Sequence, residues 1–155
     1  MEQIRYERIR PMDLIFWAEK SFWKGLVRKV GIAVMIYENM FVIEITDSGL
    51  KLRNLGDLAI DNIRRSWIYD STNTLYTAQA IVVNDIYKEL ASDKSSQYNI
   101  SKVMAKSSIA GQYIYTLSML SGMSMRDDYI KRGIKHEDLL TDRFGYSKVF
   151  FKEIQ

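Results

Sequence analysis

Two residue types that carry much of enzyme chemistry are almost missing from this sequence. Its 155 residues include no cysteine and a single histidine, His136. Without cysteine there is no disulfide scaffold, no thiolate metal site and no thiol nucleophile. One histidine cannot form a His-pair metal centre. His136 stands in Ile134-Lys-His-Glu-Asp138, a charged stretch that suits a solvated loop or the start of a helix. Its neighbours Glu137 and Asp138 would not share a helix face with it, so neither a metal nor another cofactor is expected. The other residue that draws attention is Glu44, a carboxylate inside the apolar segment 40–46. If it points inward it needs a cationic partner.

The elements that must position these residues follow from periodicity. Met12-Asp-Leu-Ile-Phe-Trp17 reads as a strand after Pro11. Over 18–30 the spacing reads as a helix, with Phe22, Leu26 and Val30 four apart and Lys20, Lys24 and Arg28 on another face. Residues 31–37 form a β-rich run without polar alternation, so both faces are expected to be covered. Glu38-Asn39 reads as a turn, 40–46 as a strand, Asp47-Ser-Gly49 as a turn and 50–53 as a short strand, giving an antiparallel meander. Asn54 can cap a helix running to about residue 65. A short strand is expected at 66–69, and a helix over 75–91 with Ala78, Ile81, Val82, Ile86 and Leu90 on its apolar face. A short helix is expected at 100–104. Ser107 or Ser108 can cap a further helix that runs to residue 121 and, being apolar nearly all round, should be buried. A last helix (135–142) and strand (146–153) complete an α+β fold with segregated layers in a single domain, 1–155.

Composition narrows the function classes. Apolar residues make up 47% of the chain and charged residues 26%, as in ordinary globular domains. The longest apolar run, 30–37, is far below the ~20 residues of a membrane-spanning helix. The charged N-terminus lacks the apolar core of a secretory signal, which leads to the expectation of a cytoplasmic or virion location. The net charge is only +3. Basic residues nevertheless concentrate early, at Arg5, Arg8, Arg10, Lys20, Lys24, Arg28 and Lys29, and the next is Lys51. That bias is one route to nucleic acid or to an acidic protein; a solvated face is the plainer explanation.

Pro11-Met-Asp-Leu-Ile-Phe16, the basic helix expected over 18–30, Val30-Gly-Ile-Ala-Val34, Phe41-Val-Ile-Glu-Ile45 and Gly49-Leu-Lys-Leu-Arg53 follow one another closely. In that order they resemble the circularly permuted branch of the NlpC-type papain-like superfamily of cell-wall cysteine peptidases and amide hydrolases. Its members typically read Pro-Gly-Asp before the first strand, then Ser-His-Val-Gly-Ile, then a strand ending in an acidic residue, then Gly-Val-x-Leu. Gln97-Tyr-Asn-Ile100 is similar to the family's Tyr-containing segment. Ala110-Gly-Gln-Tyr-Ile114 is similar to the Cys-Ser-Gln-Phe-Ile that opens its buried helix. Glu137-Asp-Leu-Leu140 and Tyr146-Ser-Lys-Val-Phe150 are similar to its tail.

The resemblance implies a permuted papain-like fold, a small antiparallel sheet or half-barrel on helices. It also implies a site in which the family's base falls on Lys29, its acidic residue on Glu44 and its nucleophile on Ala110. A thiolate activated by imidazole is what that chemistry needs. Lysine is a base only when neutral, and alanine has no reactive atom. The expectation is therefore a pseudoenzyme, not an enzyme, with a structural Lys29–Glu44 ion pair. Such a domain would be reused for protein–protein interaction in a homo- or hetero-oligomeric assembly, for example a phage head–tail connector, ring or tail component. The alternatives are an amide hydrolase on peptidoglycan or lipid using Ser107 or Ser108 with Lys29, and a nucleic-acid binder using the basic N-terminal surface. Interaction candidates are Trp17 and Trp23, one of them exposed for a partner, with Arg5, Arg8, Arg10, Lys24 and Arg28.

Overall fold

The structure is a computed structural model that describes residues 6–23, 25–64, 74–92 and 100–121. The architecture is α+β: among the described residues, one six-stranded antiparallel sheet and two helices. A 3₁₀ turn at Tyr6–Arg8 precedes β1 (Leu14–Ser21), which pairs with β2 (Gly25–Ile36). β3 (Asn39–Ile45) and β4 (Gly49–Asn54) continue the meander. Tyr37 and Glu38 link β2 to β3 with φ of 48° and 66°. Both are left-handed, as a primed two-residue hairpin turn demands, and neither is the Asn or Gly usually found there.

From β4 the chain makes a 3₁₀ turn at Leu55–Asp57 and returns as β5 (Ile60–Arg64) beside β1. After α1 (Thr74–Ser92), a 3₁₀ turn at Ile100–Lys102 leads into β6 (Met104–Lys106), which pairs with β4. α2 (Ile109–Ser121) follows. The sheet order is β5-β1-β2-β3-β4-β6.

Alternation along the strands builds two cores. Leu14, Val30, Ile32, Ile43, Ile45, Leu50 and Leu52 face the helices, against Ala78, Val82 and Ile86 of α1 and Ala110, Tyr113 and Ile114 of α2. Ile15, Trp17, Ala33 and Val42 face the other way, under Ile9, Leu55, Leu58 and Ile60. The apolar run from Val30 to Val34 within β2 is thus explained by cover on both faces, whereas Met35 just beyond it is exposed. The Trp17 ring approaches β2 closely because Gly31 has no side chain. A Cβ there would stand 2.6 Å from Val42 Cγ1 and from the Ile43 carbonyl, and 3.1 Å from the Trp17 ring.

Three local expectations are corrected. The 18–30 helix is instead the second half of β1, a turn and the first part of β2. Leu26 and Val30 are spaced by four, which satisfies a period of 2 as well as one of 3.6, and Phe22, which completes the helical pattern, lies in the turn, so the spacing could not discriminate. Gly25, with φ of 69°, opens β2 in a left-handed conformation that a helix interior does not contain.

The helix expected from Asn54 is a 3₁₀ turn followed by β5, and the Asn54 side chain makes no cap hydrogen bond. Ile60 and Ile63 share a face three residues apart because Asp61 is bulged out of register between Trp17↔Ile60 and Phe16↔Asn62. The bulge imitates a helical spacing. The helix expected at 100–104 is a single 3₁₀ turn leading into β6. The α1 face and the Ser108 cap stand as expected: the Ser108 hydroxyl accepts the Gly111 N–H at 3.2 Å. Gln112 is exposed, so the described first turns of α2 are not buried all round. The expected strands at 66–69 and 146–153 and the helix at 135–142 lie outside the described residues.

Candidate functional site

Lys29, Glu44 and Arg53 project from β2, β3 and β4 on the face of the sheet away from the helices. Their neighbours Val30, Ile43, Ile45 and Leu52 all belong to the helix-side core. Glu44 is 5% exposed, and each of its oxygens is taken. Arg53 donates to Oε1 at 2.6 Å and Lys29 to Oε2 at 3.3 Å. Arg53 also bridges to Glu19 Oε1 at 2.7 Å, and the Trp17 indole donates to the same oxygen at 2.8 Å. Burial pushes the Glu19 carboxyl upward, but the hydrogen bonds from Trp17 and Arg53 and the charges of Arg53 and Lys29 outweigh it and lower its pKa. Two cations and two carboxylates therefore satisfy one another. This is an ion-pair network and not a base poised beside a nucleophile.

The three positions that the resemblance brings together do not share a cleft. Lys29 and Glu44 meet, but Ala110 sits in the helix-side core, on the opposite face of the sheet. Ser107 and Ser108 precede α2 on that same side. The Ser108 hydroxyl caps the helix and also hydrogen-bonds Asp85 of α1, whose pKa burial raises against the lowering effects of Ser108 and Lys88. Gly111 places a virtual Cβ 2.9 Å from Ser107 Oγ and 3.6 Å from Leu50, so the serines are packed against helix and sheet. The sheet stands between Lys29 and the two serines, which serve the helix start as the capping reading expects.

A shallow groove of about 430 Å³ runs along the β4–β6 edge, lined by Glu44, Leu50, Lys51, Met104 and Lys106 among others. Among the described residues no group of His, Cys, Asp and Glu could hold a metal ion. No described helix is long and apolar enough to cross a membrane.

The feature that stands out physically is the β1–β2 hairpin. β5 pairs with β1 only as far as Trp17, and β3 pairs with β2 only from Val30. Among the described residues, the four rungs beyond, Ala18↔Arg28, Glu19↔Val27, Lys20↔Leu26 and Ser21↔Gly25, pair only with each other. They form a two-stranded arm about 13 Å long at the usual rise per residue. An isolated two-stranded ribbon is marginal in water. This one is clamped at its base, where Arg28 forms a two-pronged ion pair with the bulged Asp61 (Nη2 to Oδ1 at 2.9 Å) and Glu19 is held by Arg53. The arm ends in Phe22, Trp23 and Leu26, exposed by 89%, 87% and 74%. The Phe22 and Trp23 rings meet edge to face at 4.9 Å.

The interaction candidates thus separate. Trp17 is fully buried and Trp23 stands at the arm tip. Arg28 is committed to Asp61, while Arg8 and Arg10 are exposed before β1. Arg5, Lys24 and His136 lie outside the described residues. Sequence reasoning missed Arg53, Asp61 and Leu26, and left Phe22 as a core or interface residue on a helix face. Arg53 had a partial signal, since Lys51 and Arg53 alternate with Leu50 and Leu52 and so share one face of β4; the register then sets that face beside Glu44. Neither a family model, nor a curated protein, nor a solved structure matches this chain.

Proposed function

We propose that this chain is a non-catalytic binding module whose docking element is the β1–β2 arm. The observation that carries the proposal is the arm tip: three large apolar side chains held in water at the end of a ribbon that contributes no core. Scattered exposed hydrophobics are ordinary, but a contiguous cluster on a projecting element marks an interaction site. The ribbon would be costly to retain for stability alone, and two ion-pair clamps at its base hold its direction. The non-catalytic half of the proposal is supported by the closed Lys29–Glu44–Arg53–Glu19 network and by the separation of both serines from it. The ordered β1–β4 motifs and the Lys29–Glu44 pair support descent of the scaffold from a permuted papain-like enzyme; the position of Ala110 argues against a relic nucleophile there.

The test is site-specific photocrosslinking in the cells or particles that produce the protein. A photoreactive residue at position 23 should trap a macromolecule or lipid that the same residue at exposed Asn62 does not trap. Equal adducts at both positions would refute the arm as the docking element. Labelling by a fluorophosphonate probe that Ser107→Ala or Ser108→Ala abolishes would refute the non-catalytic reading.

A further inference from the structure

We infer that the surface the arm recognises is an anionic phospholipid membrane, into whose interface Phe22, Trp23 and Leu26 insert. The inference rests on the arm being the docking element and names what it docks on.

Shape gives the first argument. The tip is a convex point and not a flat patch. A protein interface of standard size takes about 800 Å² from each partner. Aromatic side chains bury roughly 150–250 Å² each, so two of them and one leucine fall short of that. A bilayer needs no complementary pocket: the tip enters the headgroup–acyl boundary, where tryptophan is favoured because its ring is apolar and its indole N–H can remain hydrated.

Charge gives the second argument. The segment Lys20-Ser-Phe-Trp-Lys-Gly-Leu26 contains two lysines and no acidic residue. Lys20 is exposed on the arm, paired across the ribbon with Leu26. A lysine there can lay its stem along the apolar tip and keep its ammonium at the phosphates. The acidic residues near the arm are silent at a distance: Glu19 is matched by Arg53, and Asp61 by Arg28.

The same pairing argues against nucleic acid. Arg28, Lys29 and Arg53 are already neutralised by carboxylates, so the arm offers no track of free cations for successive phosphates. The aromatic rings pack edge to face on each other instead of lying open as a stacking platform.

The experiment is co-sedimentation of the full chain with phosphatidylcholine vesicles with and without phosphatidylglycerol, at low and high salt. The wild-type chain should pellet with the phosphatidylglycerol vesicles, less so as salt rises. The Phe22→Ser/Trp23→Ser variant, folded by circular dichroism, should bind roughly ten-fold more weakly or worse. Lys20→Glu should remove the preference for phosphatidylglycerol while the fold persists. Brominated acyl chains should quench Trp23 emission in a Trp17→Phe/Trp67→Phe background, or in the wild-type chain if that background fails to fold. Pelleting that is equal for wild type and arm variant, or absent at low salt, overturns the lipid inference. Binding of single-stranded oligonucleotide that the arm variant abolishes also overturns it. If vesicles fail while crosslinks from position 23 still trap a protein, the binding-module proposal stands and only the lipid falls.

Discussion

Glu44→Gln is the sharpest perturbation of the ion-pair network. The substitution keeps the shape of the side chain and removes its charge. Oε1 can still accept from Arg53, but the new amide NH₂ takes the place of the oxygen that meets Lys29, setting donor against donor. Breaking a fully buried pair costs about 3–5 kcal/mol, and an exposed pair is worth about 0–1 kcal/mol. Here the carboxylate is 6% exposed and its cations 21% and 29%, which places the cost between those limits. We expect Glu44→Gln to lose about 2 kcal/mol. Arg53→Met should lose a similar amount, about 2 kcal/mol, because it releases both Glu44 and Glu19. Lys29→Met should lose the least, about 1 kcal/mol or under, since its contact is the longest and the most exposed. Urea unfolding midpoints at constant m measure the series, and a Lys29/Glu44 double-mutant cycle isolates the pair. A neutral Glu44→Gln, or a Lys29→Met costlier than Arg53→Met, would refute the network as described.

Three further outcomes follow from single contacts. Gly31→Ala forces a methyl into Val42, the Ile43 carbonyl and the Trp17 ring, and should cost about 2–3 kcal/mol in denaturant melts; a change within error would mean Trp17 does not rest on that strand. Glu38→Gly removes an exposed side chain from a left-handed turn residue and should stabilise by about 1 kcal/mol, with a rise in Tm as the readout. The pKa of Glu19 is lowered in the fold, so its contribution to stability is present above the ordinary value of 4.5 and is lost as pH falls through the folded value. Glu19→Gln should therefore flatten the acid limb of stability against pH, and an unchanged limb would contradict the Arg53–Glu19 bridge.

How much of this was legible in the sequence depended on which physical signal each segment carried. The meander from residue 31 to 53 was readable because turn residues and apolar runs agree there. Glu44 in an apolar strand is readable as a carboxylate that needs a cation if it points inward, and Lys29 is the partner that the papain-like resemblance implies. The arm was not legible as a hairpin, because Leu26 and Val30 at an interval of four serve a strand face as well as a helix face, and Phe22 in the turn happens to extend that spacing. β5 was hidden by its bulge, which puts Ile60 and Ile63 three apart on one side. Arg53 was overlooked because its role depends on register, which joins Val42↔Arg53 and Glu44↔Lys51 across β3 and β4. The serines before α2 were legible as caps. That the sheet separates them from Lys29 follows only from the parity of Lys29 against Val30, a one-residue matter that motif order cannot resolve.

The most direct test of the account is a complementation experiment with separated variants. In a strain or phage lacking this gene, the Ser107→Ala/Ser108→Ala variant should restore whatever phenotype the wild-type copy restores. The Phe22→Ser/Trp23→Ser variant, equally folded and equally abundant, should fail. The converse, with the serine variant failing and the arm variant restoring the phenotype, would contradict a non-catalytic module that works through its arm.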